Sequence, residues 1–439
     1  MGSGIADTIV SPDRLLRRLY QTAVAAAQPE HYLPPALPRL SELPHTGRLI
    51  VVGAGKAAAA MAQCAEQHWR DDPRFSQVTG LVIARHGEAR PTRHIEIVEA
   101  AHPVPDKHAV AATERIVSLL HGAGPEDRVL CLLSGGGSAL LCLPATGIGL
   151  AEKQNVTRAL LASGAPIDAI NCVRKHLSAV KGGRLAQAAW PAPVLTLAVS
   201  DVVGDDPSVI ASGPTVPDPS TSAMARAIVA RHCPTPPASV LRYLGDPRSE
   251  TPKPGDAIFT RTDYRILMHG AAALAAAATD AEQAGCTVIN LGAAITGEAR
   301  AVAHQHAQMA RACLADAPTL ILSGGELTVR LGGQAGHGGP NLEYALALAI
   351  ALNGAANIWA LAADTDGIDG TAPDGQPAAG AIVTPETVAR ARRLGIDTKR
   401  FINHHDSYDF FDRVGGLIRP GPTGTNVNDF RAILILPTR

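Results

Sequence analysis

The stretch RLIVVGAGKAAAAMAQCAEQ (48–67) runs from branched apolar residues through a glycine turn into an alanine-rich helix. Strand, glycine turn and helix in that order open a βαβ unit. Downstream, further strands are expected at 80–84, 95–98, 128–133 and 194–200, separated by helical segments. Such alternation implies right-handed crossovers and a mostly parallel sheet. Upstream, residues 11–27 read as an amphipathic helix started by Ser11-Pro12-Asp13. The opening MGSG reads as an expression remnant or an unstructured start, and 28–47 is broken by prolines.

The segment 212–256 is dense in proline and turn residues and reads as an excursion followed by a domain linker. A second alternation follows. Helix 263–284 leads to a strand at 286–291, helix 297–315 to a strand at 319–323, and helix 340–352 to a strand at 357–363. RAILIL (431–436) is expected as the last strand. At 439 residues the chain exceeds one ordinary core. The expectation is therefore an α/β protein of two domains, 1–255 and 256–439. The first is Rossmann-like with a mostly parallel sheet, the second α/β, and the cleft between them is the expected active site.

Hydrophobic residues make up 46 % and charged residues 18 %, a soluble globular balance. A net charge of −1 argues against nucleic-acid or membrane-surface binding, and 3 % aromatics against a stacking platform for single strands. No run of about twenty apolar residues is free of charge, Gly and Pro, so no membrane span is expected. Seven separated cysteines without a C-x-x-C pair, behind a start with no signal pattern, point to buried reduced thiols in the cytoplasm. The sequence leaves homo-oligomerisation open.

Three apolar runs end in loops suited to phosphate or metal: RVLCLLSGGGSALL (128–141), TLILSGGELTVRL (319–331) and IWALAADTDGIDG (358–370). In Ser134, Gly135, Gly136, Gly137 and Ser138, glycine strips side chains from the turn, so backbone N–H groups can close on an anion. GAGKAA (53–58) offers Lys56 at a helix N-terminus, the alternative being a tight turn with a solvated lysine. As G-x-G-x-x-A it is a weak dinucleotide signal, and it is no P-loop. Lys56, Lys175 and Lys181 fall in or beside glycine-containing turns, although the chain has only seven lysines. In NCVRKHLSAVKGGRLA (171–186) the basic run reads as a solvated face or as a ligand approach at Gly182-Gly183, with Lys181 the candidate.

Asp201 ends the strand VLTLAVS as a hard oxygen ligand suited to magnesium, whereas Asp205 and Asp206 suit turn chemistry. Glu326 sits at a glycine turn. Asp364, Asp366 and Asp369 follow another strand, without the spacing of a calcium loop. GHGGPNLE (336–343) opens a helix whose N-terminus can bind an anion, although Asn341 could be only a cap and Glu343 only a dipole partner. No zinc spacing or serine-hydrolase elbow is present. Anion cradles together with clustered carboxylates indicate an enzyme of nucleotide phosphate chemistry.

Six collinear motifs carry a resemblance. GAGKAA, LLSGGGSALL, NCVRKHLSAVKGGRLA, SDVVGDDPSVIASGPTVPD, LSGGELTV with GHGGPNLE, and AADTDGIDG together resemble the glycerate 2-kinases of bacterial and archaeal type, whose C-terminal part carries the MOFRL region. The resemblance spans about residues 10–436. It implies two α/β domains and phosphorylation of D-glycerate at its 2-hydroxyl by ATP with a divalent ion such as Mg2+, giving 2-phosphoglycerate. Lys56 matches the cleft lysine of that family. His337 stands where similar proteins often carry arginine, so an anchor for phosphate would here be shorter and only partly charged.

On this reading the SGGGS loop, Lys181, His337 and Asn341 bind the nucleotide, and Asp201 and Glu326 hold magnesium. Lys56 neutralises charge on the transferring group or holds the glycerate carboxylate, and Asp364 or Asp366 orients the hydroxyl or takes its proton. A rival is an NAD(P)H-dependent hydroxypyruvate reductase, a name relatives of this family have carried. A sensor that binds without turnover is a third reading.

Overall fold

The computed structural model describes residues 11–437 apart from 332, 334, 335 and 374, so the MGSG opening lies outside the described residues. The chain divides into two compact units. Pro29–Leu267 forms one, and the chain up to Gln28 together with that from Met268 onward forms the other.

In the first unit six strands form one sheet: β1 (Leu49–Ala54), β2 (Val78–Arg85), β3 (Ile95–Ala100), β4 (Arg128–Leu133), β5 (Val194–Ser200) and β6 (Thr262–His269). Their order is β3-β2-β1-β4-β5-β6, and β1 to β5 pair in parallel. Every residue of β1 is buried, as a central strand covered on both faces requires. The order reverses between β1 and β4. In an open parallel sheet that is the topological switch point, where ligands gather at the carboxyl ends. The GAGK and SGGGS turns leave the sheet at this point.

Two expectations fail here. TDYRILMH, read as the start of a helix at 263–284, is β6, and the helix begins only at Gly270. Tyr264, Ile266 and Met268 alternate with period two, a strand signal masked by the alanine run behind them. The segment 212–256 is no linker either. It carries helices Ser222–His232 and Ala238–Leu244, which share a small core with residues of helices Leu150–Ala162 and Ile167–His176. Its prolines stand outside both helices, where they break nothing.

The second unit holds a mixed sheet of β7 (Thr287–Asn290), β9 (Thr319–Ser323), β11 (Ile358–Asp364), β12 (Gly380–Val383), β13 (Leu417–Ile418) and β14 (Asp429–Ile435). A two-stranded ribbon, β8 (Ile295–Glu298) with β10 (Gly325–Thr328), lies beside it. β14 runs antiparallel between β9 and β11. That register sets Asp429 opposite Asp364 and Arg431 opposite Ser323, so the ends of β9 and β11 and the start of β14 lie on one edge. Acidic residues from distant segments gather there.

Helix Pro12–Ala26 belongs to this second unit. Its buried face, Leu15, Leu16, Leu19, Tyr20 and Ala23, lies among residues packed on helix Gly270–Gln283, β11 and β14. The units therefore differ from the expected division at 255/256, which put residues 1–28 with the first domain. An amphipathic stripe specifies that a helix packs, not on which sheet. All seven cysteines are free thiols, six of them buried. Among the described residues no helix is long and apolar enough to cross a membrane.

Candidate active site

The two glycine turns of the first unit close on each other. Gly55 has φ +140°, and a Cβ there would lie 2.1 Å from Ser134 Oγ and 2.6 Å from the Ser134 carbonyl oxygen, so only glycine fits. In return the Ala57 amide donates to Ser134 Oγ at 2.9 Å and the Lys56 amide to the Gly135 carbonyl at 2.8 Å. Ser134, fully buried, is thus spent in joining the turns. Among the described residues, the amides of Gly135 and Gly136 donate to no backbone carbonyl. Gly136 lies between two side chains: a Cβ on it would be 3.1 Å from the His102 ring and 3.4 Å from Lys56 Cγ.

Behind the loop runs Ile210–Gly213, where Ala211, Ser212 and Gly213 take φ of +51°, +62° and +59°. Two consecutive left-handed residues other than glycine are held there by specific contacts, as strained backbone at functional sites commonly is. Ser212 Oγ lies 2.8 Å from Ser138 Oγ, and a Cβ on Gly137 would come within 2.8 Å of Ala211 Cβ. Lys181 Nζ donates to the carbonyls of Ser138, at 2.9 Å, and Ala211, at 3.3 Å. Burial, with the charges of Lys153 and Arg174 nearby, pushes Lys181 down to about 7.

The basic run at 171–186 divides by role. Arg174 and Lys181 line a pocket beside the SGGGS loop. Lys175 instead faces Asp218 across 3.4 Å, the buried His176 ring donates from Nδ1 to the Cys172 carbonyl, and Arg184 donates to carbonyls of 248–250. These last three serve structure. Asp201 is half-buried just past β5, and Asp206 accepts from the Ser208 amide at 2.8 Å, an ordinary turn bond.

On the acidic edge of the second unit, Tyr20 donates from its hydroxyl to the Asp364 carbonyl at 2.9 Å. Asp364 Oδ1 accepts from the Asp366 amide, and Asp366 Oδ1 accepts from Ile368. Asp364 is half-buried and Asp366 buried. Beneath them Asn341 donates to Asp429 at 2.6 Å and lies within 3.4 Å of Asp369, and Arg431 holds Asp429 at 2.6 Å. Burial pushes Asp369 up to about 7 although two helix amides pull the other way.

Two residues expected to contact nucleotide, Asn341 and His337, sit differently, and Glu343 beside them is paired within the protein. Asn341 is 1 % exposed, so its amide organises carboxylates. Glu343 is salt-bridged to Arg300, with His405 at 3.0 Å. His337 lies 3.6 Å from Asp409 and donates from its backbone amide to Asp406, so it faces two carboxylates. Its ring and those carboxylates bring three donor atoms within 4.8 Å of one another. Glu326 stands exposed on β10.

Sequence reasoning missed His102, which follows β3, and Lys153, which lines the same pocket as Arg174. A signal for Lys153 was present. With Val156 and Leu160 it falls at i, i+3 and i+7 on the buried face of its helix, in a chain poor in lysine.

Comparison with known proteins places the chain in a family. The model of a domain of unknown function, DUF4147, matches residues 15–245, and that of the MOFRL family residues 319–429. A protein of Agrobacterium vitis with a provisional hydroxypyruvate reductase name is 48 % identical over 97 % of this chain and 95 % of its own. A D-glycerate 2-kinase of Thermotoga maritima is 36 % identical over 96 % of this chain and 98 % of its own. A crystal structure of a Thermotoga maritima glycerate kinase, 36 % identical, superposes with a TM-score of 0.83 over 96 % of this chain and 99 % of that one.

Proposed function

The chain belongs to the DUF4147–MOFRL family of glycerate kinases, and from that premise we propose that it transfers the γ-phosphoryl group of ATP to the 2-hydroxyl of D-glycerate. The observation that carries this reading is the SGGGS loop. It lies at the switch point of a parallel sheet, with the Gly135 and Gly136 amides unspent on backbone and Lys56 and Lys181 beside it.

Phosphoryl transfer demands positioning and charge neutralisation more than covalent chemistry. The Gly135 and Gly136 amides and the Ser138 hydroxyl receive phosphate oxygens, and Ser134 holds the loop to the Lys56 turn. Lys56 neutralises the transferring group or the glycerate carboxylate. The substrate oxygen attacks the γ-phosphorus, the bond to the β-phosphate oxygen breaks, and ADP leaves. The hydroxyl proton passes to a carboxylate.

Magnesium fits this donor set, since it needs only one or two carboxylates when phosphates and water complete its shell. Asp201, half-buried just past β5, is such a ligand. The ion supplies charge neutralisation on the phosphates. A cytoplasmic setting suits seven free, mostly buried thiols.

The reductase reading meets a specific obstacle. A dinucleotide pyrophosphate would sit on the amides at the start of helix Ala58–Trp69. The amides of Lys56 and Ala57 are already taken by Gly135 and Ser134. Phosphorus NMR of the protein with ATP, Mg2+ and D-glycerate, beside L-glycerate and hydroxypyruvate, tests the proposal. It should give a 2-phosphoglycerate signal. A 3-phosphoglycerate signal would overturn the regiochemistry. NADH consumed with hydroxypyruvate, with no phosphorylated product, would overturn the kinase.

A further inference from the structure

The pocket beside the SGGGS loop, about 450 Å3 in volume, has an unusual charge balance. Its walls carry Lys153, Arg158, Arg174 and Lys181 and no carboxylate. Lys153 is 7 % exposed, and among the described residues its ammonium has no hydrogen-bond partner. A buried lysine is ordinarily paired, because an isolated ammonium out of water costs several kcal/mol. The same unit shows the ordinary arrangement, with Lys175 held against Asp218. Burial and the charge of Arg174 push Lys153 down, and burial does the same to Arg174. Folding has gathered basic side chains with no carboxylate in the pocket wall among the described residues, so the missing partner is an anion brought from outside.

Charge and size indicate which anion. A carboxylate of a three-carbon acid would meet one of four basic side chains and leave most of the volume empty. A polyphosphate tail matches the charge. The volume lies in the range of pockets for molecules of several hundred daltons. Val104, Pro105, Leu150 and Leu161 supply an apolar wall, tied together by the Gln154 side-chain amide donating to the Pro105 carbonyl at 2.7 Å. We propose that this pocket receives the polyphosphate of the nucleotide donor through Lys153, Arg174 and Lys181, with the nucleoside against the apolar wall. The inference rests on the kinase reading and adds Lys153 and Arg174 to it as phosphate-binding residues.

Calorimetric titration of the whole chain with inorganic tripolyphosphate, Mg-ADP and D-glycerate tests it, comparing wild type with Lys153→Met and Lys153→Arg. Lys153→Met should melt, without ligand, no lower than wild type, because it removes an unpaired buried charge. It should bind tripolyphosphate and ADP at least about tenfold more weakly (about 1.4 kcal/mol) while D-glycerate affinity holds, and Lys153→Arg should recover much of the loss. Wild-type affinity for ADP in Lys153→Met would overturn the proposal. So would a loss confined to D-glycerate, which would give the pocket to the acid and leave the kinase reading standing. Tripolyphosphate binding that depends on Lys153, in a protein that transfers no phosphoryl group to glycerate, would uphold the pocket and sink the kinase reading. If Lys153→Met fails to fold, Arg174→Gln in the same titrations decides between these outcomes.

Discussion

Lys181→Met removes a charge that the fold holds against its chemistry, and the consequence is a change in how stability depends on pH. Lys181 is 1 % exposed, and burial with two neighbouring cations brings it from 10.5 to about 7. At 1.36 kcal/mol per pH unit, the folded state disfavours the ammonium by about 5 kcal/mol. Between pH 7 and 10.5 the unfolded chain carries a proton on this lysine that the folded chain does not. Stability therefore rises with pH across that window, and the cost of the buried charge is fully present below it. From pH 6.5 to pH 9 the gain is about 2–3 kcal/mol. Methionine has no such proton, so the variant should lack this rise. The carbonyls of Ser138 and Ala211 lose their donor in the variant, which lowers stability by about 1 kcal/mol each at every pH. Urea unfolding of both proteins at pH 6.5 and pH 9 is the assay, and the quantity read is the difference between their pH increments. Equal increments would refute the reasoning, because Lys181 would then be as protonated in the folded chain as in the unfolded one.

Three further substitutions test other parts of the site. Gly55→Ala sets a methyl 2.1 Å from Ser134 Oγ at a φ of +140° and should cost about 2–5 kcal/mol by urea unfolding; an unchanged midpoint would mean the two turns are not locked together. Arg431→Met leaves Asp429 buried without its 2.6 Å partner, and a loss of about 3–5 kcal/mol is expected in the same assay. A neutral result would show that Asp429 is already protonated. Lys56→Ala should lower kcat with ATP and D-glycerate by about 100- to 1,000-fold at an unchanged melting temperature, and near-normal turnover would remove Lys56 from the transfer step.

Much of the fold was legible along the chain because its signals are local. β4, β5 and β9 begin and end where their apolar runs do, and helix Pro340–Leu352 starts at the proline that suits a first turn. Reading failed where a stronger neighbour hid a weaker pattern, as the alanine run hid β6. It failed again at 212–256, where proline density suggested an open linker although the prolines lie between helices. The site divides in the same way. The glycine turns could be found because backbone freedom is a property of residue type. The separation of Arg174 and Lys181 from Lys175 and His176 could not, because it depends on which residues of one basic run meet Asp218.

By itself the sequence determined the strand–turn–helix units, the glycine turns after β1 and β4, and the carboxylates that follow β5 and β11. Periodicity, turn chemistry and residue type act over a few residues, and nothing distant is needed to read them. Only the tertiary structure decided that helix Pro12–Ala26 joins the C-terminal unit, that Asn341 is consumed by Asp369 and Asp429, and that Lys153 is buried without a counter-charge. Those outcomes depend on partners far apart along the chain, and burial and pairing come into being only when packing brings such partners together.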